Sequence, residues 1–242
     1  MAHLIFIVAG FLLSAWMGRL IIPRILVISL RKRLFDIPDF RKIHQHPISR
    51  LGGVTFFPVI MLVMCAITLI GLHIKGFSDQ FFSNHIVDEM LCLTAGLVLL
   101  YIIGVCDDLI GVRYGRKLLV QVFAASFLPF AGLYVVDFYG LFGVDVVSPF
   151  IGIPLTVLLT VFVTNAINLI DGIDGLASGL CMIALLIFGT AFALNGVWMY
   201  SLLAFVCLGV LIPFFLYNVF GNAEHGSKIF MEIRVALLWV SF

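Results

Sequence analysis

The chain has 242 residues, of which 63% are hydrophobic and only 11% are charged, and its formal net charge is +1. Soluble domains carry roughly 25% charged residues, so this composition excludes an ordinary soluble domain and indicates a protein that crosses a membrane several times. The near-zero net charge gives no sign of nucleic-acid binding, and the five cysteines, an odd number without framework spacing, argue against a disulfide scaffold.

Apolar segments follow one another along almost the whole chain. A spanning helix needs about 20 mostly apolar residues, and backbone groups in lipid must find their hydrogen bonds within the protein, which favours helices. The sequence therefore predicts an all-α, polytopic membrane helix bundle that forms a single domain over residues 1–231. The seven predicted spans are 4–28, 53–72, 90–106, 118–136, 150–168, 177–194 and 197–217.

The connection 29–52 between the first two spans is strongly basic. Connections rich in Lys and Arg face the cytoplasm, which places the N-terminus outside. Within it, Lys42, His44 and Arg50 lie close to Pro47 and a Gly-Gly pair, a pattern that favours a phosphate site. A basic loop that only touches anionic lipid is the alternative. The connections predicted to share the cytoplasmic face are 29–52, 107–117, 165–176 and 218–231.

Two adjacent carboxylates, Asp107 and Asp108, follow the third predicted span. Ionisable groups beside a bilayer core are costly and are seldom kept without a function, and like charges at close range oppose each other's ionisation. A divalent cation or a proton-transfer step would explain them, whereas a solvated helix cap is the alternative. The following Arg113, Arg116 and Lys117 would supply cations for an anionic substrate.

A second polar cluster, Asn165, Asn168, Asp171 and Asp174, steps through the chain by three residues. Helical steps of three keep neighbours on one side of the helix, and the glycines at 172 and 175 would end the helix and let backbone N–H groups approach a ligand. An ordinary Asn- and Asp-rich turn is the alternative. The two asparagines inside an apolar helix favour a functional site, because unpaired amides in lipid are costly.

Together these segments resemble the polyprenyl-phosphate N-acetylhexosamine-1-phosphate transferases of glycosyl transferase family 4. The pattern is nearer to the GlcNAc-1-phosphate branch, which starts O-antigen and teichoic-acid synthesis, than to the pentapeptide branch of peptidoglycan synthesis. The residues from Phe215 to Asn218 and from Lys228 to Met231 look like the family's next cytoplasmic segment. The resemblance rests on His44-x-x-Pro47-x-x-Arg50-x-Gly52-Gly53, Asp107-Asp108-x-x-Gly111 and Asn165-x-x-Asn168-x-x-Asp171-Gly172-x-Asp174-Gly175-Leu176-Ala177.

The resemblance implies that a UDP-sugar and undecaprenyl phosphate react at the cytoplasmic face of a bacterial inner membrane. The products would be undecaprenyl-diphospho-sugar and UMP, and Mg²⁺ would be the cofactor. Phosphoryl transfer depends mainly on positioning and charge neutralisation, which fits a site at the membrane surface. The oligomeric state stays open, with a homodimer among the states that the family allows.

The resemblance also implies a role for each site residue. Asp107 would handle the proton of the lipid phosphate, and Asp108 would support it or the metal. Asn168 would lie at the metal. The residues expected to bind substrate are Lys42, His44, Arg50, Asn165, Asp171 and Asp174.

The chain departs from the family after Met231. The family continues there with Gly-Asp-x-Gly-Ser, whose Asp is its principal Mg²⁺ ligand, but this sequence continues with Glu232-Ile233-Arg234. One inserted G after the Met231 codon, with suitable synonymous codons, would restore that motif. We therefore interpret residues 232–242 as a frameshifted tail of a C-terminally truncated transferase, and expect little or no activity from this exact polypeptide.

Two other functions compete with an active transferase. One is an inactive remnant of that enzyme. The other is a membrane transporter, which predicts acidic residues near mid-membrane and internal repeats. The acids lie at one predicted face and no repeat is visible, which favours the transferase family.

Overall fold

The computed structural model describes residues 2–32, 35–36, 48–49, 52–74, 84–143, 145–171 and 173–221. Lys42, His44, Arg50 and the tail 232–242 lie outside the described residues. The helices are α1 (Ala2–Lys32), α2 (Phe56–Leu72), α3 (Asn84–Ile110), α4 (Tyr114–Ala125), α5 (Phe127–Phe130), α6 (Pro149–Ile170), α7 (Leu176–Leu194) and α8 (Trp198–Phe220).

Six described helices are long and apolar enough to span a membrane, which confirms the predicted all-α polytopic bundle. Strand structure in the described residues is limited to β1 (Phe35–Asp36), paired antiparallel with β2 (Ile48–Ser49), and one isolated bridge. The six spans are His3–Ile28, Gly53–Leu72, His85–Ile110, Pro149–Ile170, Leu176–Leu194 and Trp198–Phe220.

The predicted span 118–136 is wrong as a continuous helix. It is divided into α4 and the single turn of α5, which are separated at Ser126. Pro129 explains the division, because a proline has no N–H to donate and its ring clashes with the carbonyl four residues earlier, here that of Ala125. Helix α5 ends at Phe130, and Gly132 follows with a φ of +85°, which allows the Leu133 N–H to bond the carbonyl of Leu128.

Helix α8 is the most buried of the spans and forms the centre of the bundle. It packs against α1, α2 and α7. The ring of Phe214 packs edge-on against the ring of Phe56 of α2, with 5.1 Å between the ring centroids. Its approach to α1 is closest at Gly209, where a Cβ would overlap Ser14 Oγ and the Phe11 carbonyl. Small residues let helix backbones approach closely where lipid provides no hydrophobic drive for association.

The ends of the helices fall on two faces of the bundle. Contacts between Lys117 and Asp107 and between Gly175 and Asn218 join the ends of α3 and α8 to the starts of α4 and α7. We call this the motif face. On the other side, the distal face, the Tyr200 hydroxyl at the start of α8 donates to Glu89 of α3 at 2.7 Å. The polar motifs at 107–117 and 165–176 therefore share one face, as the sequence predicts.

Candidate active site

Asp107 lies in the last turn of α3, and two groups that follow it in the chain bind its carboxylate. Lys117 Nζ forms an ion pair with Oδ2 at 2.6 Å, and the Val112 N–H donates to Oδ1 at 2.9 Å. Gly111, with φ of +68°, lets the chain turn between α3 and α4 and brings Lys117 back to Asp107. The side chains of Lys117 and Asp107 are only 9% and 17% exposed, respectively, so the pair is largely shielded from water.

Asp108 is half-buried beside Asp107. Consecutive helical residues do not face each other, because each step turns the side chain by about 100° around the axis. The two acids therefore have different surroundings, and the Lys117 ion pair belongs to Asp107. Such a difference allows two adjacent carboxylates to carry different charges or tasks.

Lys117 differs from its predicted use as a cation for an anionic substrate. The residue is 7% exposed and pairs with Asp107, so its charge is already partly compensated inside the protein. Arg113 and Arg116, in contrast, are exposed on the same connection. They are the better-placed cations of residues 111–117 to meet an anion that arrives from solution.

Helix α4 connects the two polar motifs. One turn after Lys117, the Gln121 side chain is 2% exposed and its Oε1 accepts a hydrogen bond from Asn165 Nδ2 at 2.9 Å. The same Asn165 amide also donates to the Val161 carbonyl at 2.8 Å. Since residues four apart lie on one face of a helix, this face of α4 holds Asp107 of α3 and Asn165 of α6 in one arrangement.

The Asn/Asp/Gly motif forms the turn from α6 into α7. Asn168 is half-buried in the last turn of α6, Asp171 is half-buried at its C-terminal end, and Asp174 is exposed. Gly175 starts α7 with φ of +75° and donates its N–H to Asn218 Oδ1 at 2.6 Å. The helix end that carries Asn168 and the two aspartates is thus fixed to the end of α8.

Gly175 cannot be replaced without strain. A Cβ there would lie 2.5 Å from Val219 Cγ2, and the positive φ disfavours any L side chain. Asn218 is 4% exposed, so this contact is a buried part of the motif and not a surface hydrogen bond. The glycine in the sequence motif therefore has a packing reason as well as a conformational one.

Sequence reasoning assigned no role to Gln121 or Asn218. Gln121 is a buried amide in an apolar helix, and that cost is itself a signal in the sequence. Asn218 was noted only within the family-like segment 215–218. Its partner, the Gly175 N–H, is 43 residues away in the chain, and no local pattern identifies it.

The donor types at this face suit a hard cation such as Mg²⁺, which binds carboxylate, amide and phosphate oxygens. Among the described residues, however, no group of three or more His, Cys, Asp or Glu side chains is close enough to hold a metal ion. Magnesium sites commonly use one or two carboxylates together with substrate phosphates. Asn168, Asp171 and Asp174 carry oxygen atoms of the type that such an ion binds.

These features define a polytopic α-helical membrane protein with a polar cluster at one face. Residues 90–231 match the family model described as glycosyl transferase family 4. This chain belongs to that family, in agreement with the resemblance seen in its motifs.

Curated relatives span two kinds of transferase. A Bacillus subtilis protein named probable undecaprenyl-phosphate N-acetylglucosaminyl 1-phosphate transferase is 29% identical over 95% of this chain and 59% of its own length. A Yersinia pestis undecaprenyl-phosphate alpha-N-acetylglucosaminyl 1-phosphate transferase is 29% identical over 84% of this chain and 52% of its own. A Clostridium botulinum phospho-N-acetylmuramoyl-pentapeptide-transferase is 25% identical over 92% of this chain and 66% of its own length. The chain thus spans about half to two thirds of the length of these relatives.

Proposed function

We propose that this chain carries the site for transfer of a sugar-1-phosphate, GlcNAc-1-phosphate, from a UDP-sugar to undecaprenyl phosphate, with release of UMP. The reaction would start a cell-envelope polysaccharide. The observation that supports it most is the link through α4, because Lys117 binds Asp107 while Gln121 binds Asn165. One rigid element thereby holds both polar motifs at a single membrane face, where a lipid phosphate and a soluble nucleotide can meet.

The geometry suggests a division of labour at this face. Asp107 would receive the proton of the lipid phosphate, and the Lys117 ammonium group lies beside it as a counter-ion. Asn168, Asp171 and Asp174 would hold the nucleotide diphosphate with Mg²⁺, which would neutralise charge on the transferred group. Lys42, His44 and Arg50 remain proposed phosphate ligands, on their sequence pattern and the resemblance.

The proposed setting is the bacterial inner membrane, with the motif face in the cytoplasm and the N-terminus outside. The Lys- and Arg-rich connections 29–52 and 107–117 support this orientation. The cytoplasm is also where a UDP-sugar would be available.

The test is an assay of the purified 242-residue chain in vesicles that contain undecaprenyl phosphate. Radiolabelled UDP-GlcNAc and UDP-MurNAc-pentapeptide are supplied separately with Mg²⁺, and both lipid-linked sugar and UMP are measured. Formation of both products with UDP-GlcNAc, even at the low rate expected of a chain that departs from the family after Met231, supports the proposal. Preference for the pentapeptide donor would reject the proposed sugar.

Asp107→Asn serves as the matched inactive variant. It keeps the size of the side chain but removes the proton acceptor, and we expect it to abolish transfer. Because it also leaves Lys117 without its ion-pair partner, retained helical circular dichroism must accompany the loss of activity. Near-normal activity would reject the role of Asp107. Binding of UDP-GlcNAc without turnover in the parent chain would favour the inactive remnant, and absence of both binding and turnover would contradict the proposed function.

A further inference from the structure

The segment that joins α5 to α6 lies where a membrane crossing must be completed. Helix α3 ends at the motif face and α6 starts at the distal face, so the chain between them crosses the bundle. From Tyr114 to Phe130, however, the α4–α5 unit covers only about 25 Å at 1.5 Å per residue, against a hydrocarbon core of about 30 Å. Non-helical chain must complete the crossing.

Contacts with α6 show how deep this non-helical chain runs. The Val135 N–H donates to Thr156 Oγ1 at 2.9 Å, and the Val135 carbonyl lies so close to Gly152 that a Cβ there would overlap it. Thr156 is about 10 Å along the helix axis from Pro149, where α6 starts. Helix α6 is about 33 Å long, enough to span the membrane, and a spanning α6 places Val135 within the distal leaflet.

Several backbone groups of this segment find hydrogen-bond partners within the protein. Irregular chain at membrane depth requires hydrogen bonds from the protein. Phe138 donates its N–H to the Asp145 carbonyl at 2.9 Å, and Val147 donates to Val136 at 2.9 Å, which forms a small hairpin. Asp137 Oδ1 accepts the Tyr139 N–H at 2.6 Å.

The surface of this hairpin is largely apolar and contains no cation, and its exposed charged residue is Asp145. Residues 131–148 include no Lys or Arg and only two acids, Asp137 and Asp145. Large apolar side chains are nevertheless exposed over the hairpin and the two helix ends that it joins. They are Phe130 (85%), Val136 (52%), Tyr139 (91%), Leu141 (58%), Val146 (79%) and Phe150 (92%).

We propose that the hairpin, residues 136–143 and 145–147, is a lipid anchor that inserts into the distal leaflet at its headgroup–acyl boundary. Its exposed apolar surface continues into the lipid-facing side of α6, where Phe150 and Ile151 are exposed. Tyrosine is favoured at that depth, and carboxylates cost less there than at the membrane centre. The proposal is independent of the transfer reaction.

The test is depth-dependent fluorescence quenching of a single tryptophan in the full chain. Trp16, Trp198 and Trp239 are replaced by Phe, and Tyr139→Trp is then introduced. Leu194→Trp in the same background is the matched reference, because Leu194 is 89% exposed at the distal end of α7, next to the short turn into α8. Both proteins are reconstituted into phosphatidylcholine vesicles brominated either near the headgroup or near the chain end.

We expect Tyr139→Trp to be quenched by lipid bromine at least as strongly as the Leu194→Trp reference, and more by bromine near the headgroup than by bromine near the chain end. Aqueous iodide should quench it weakly. Strong iodide quenching with weak bromine quenching would overturn the proposal in favour of a solvated loop. Protection from both quenchers would overturn it in favour of a protein partner or a second copy. If Tyr139→Trp does not fold, Leu141→Trp reports on the same hairpin with the same outcomes.

Discussion

At the scale of single residues, the ion pair between Lys117 and Asp107 determines how the first acidic motif is held in the folded protein. Both carboxylate oxygens of Asp107 are occupied, one by Lys117 and one by the Val112 N–H. Paired charges in a shielded position depend strongly on each other, because removal of one leaves the other buried without compensation. A substrate group that approaches the Asp107 carboxylate must therefore either displace Lys117 from it or bind beside Lys117.

Lys117→Met should destabilise the protein through this uncompensated charge. Loss of one partner from a buried pair costs roughly 3–5 kcal/mol, and because the Asp107 side chain keeps 17% exposure we expect about 2 kcal/mol here. The measurement is the free energy of unfolding in detergent, followed by loss of helical circular dichroism.

Arg116→Met is the matched control, since it removes the same charge from an exposed neighbouring position. We expect a change within about 0.5 kcal/mol for this variant. The double variant Lys117→Met/Asp107→Asn should recover part of the lost stability, because it removes both charges. Equal effects of Lys117→Met and Arg116→Met would contradict the structural role of the pair.

The polar motifs were predictable from the sequence, but their partners were not. Asp107 and Asn165 stand out because acids and amides are expensive beside lipid. Lys117 could equally have faced solvent, since its contact depends on the left-handed turn at Gly111. The Gln121–Asn165 bond joins residues 44 apart in the chain, and the packing of α4 against α6 determines it.

At the scale of helices, hydropathy predicted the long spans well and overlooked a local break. The segment 118–136 is apolar enough to be taken for a span, yet Pro129 and Gly132 divide and end its helix. Average hydropathy does not respond to a missing N–H or to a residue with positive φ. Average hydropathy also does not predict the close packing of α1 and α8, which depends on the absence of a side chain at Gly209.

Gly209→Ala should weaken the contact between α1 and α8. Its Cβ would overlap Ser14 Oγ and the Phe11 carbonyl, and overpacking of this kind costs about 1–3 kcal/mol. The change is measured as a lower midpoint of unfolding in the same detergent titration.

Gly179→Ala in α7 is the control for helix propensity, because its Cβ would meet Phe215 Cε2 at an ordinary 3.6 Å. We expect this variant to unfold close to the parent protein. If Gly209→Ala were as stable as Gly179→Ala, the close crossing of α1 and α8 would be refuted.

At the scale of the whole molecule, the order of the helices determines which parts of the chain share a side of the membrane. In the part of the chain that the structure describes, six continuous helices are long and apolar enough to cross, and the α4–α5 unit with its hairpin completes a seventh crossing, which places 107–117 and 165–176 together. Without that seventh crossing the start of α6 would lie on the motif face. Gln121 contacts Asn165 near the end of α6, and Val135 contacts Thr156 nearer its start, so the chain from α4 to Val135 runs antiparallel to α6.

Labelling of introduced cysteines in intact bacterial cells tests this arrangement. Asn195→Cys lies in the turn between α7 and α8, and Tyr114→Cys lies at the start of α4, where Tyr114 is 68% exposed. All five native cysteines lie within spanning helices, where a charged maleimide reacts poorly, and the parent chain measures their background. We expect Asn195→Cys to react from outside and Tyr114→Cys to react only after permeabilisation.

The two possible failures of this experiment have different meanings. Reaction of Tyr114→Cys from outside, with Asn195→Cys protected, would keep the crossing order but place the motif face outside the cell. A site that uses a cytoplasmic UDP-sugar would then be excluded, while the lipid anchor would stand. Reaction of both cysteines from the same side would reject the seventh crossing itself, since an odd number of crossings must separate position 114 from position 195. The anchor proposal would then lose its geometric basis, because the hairpin could no longer lie in the leaflet opposite Asp107.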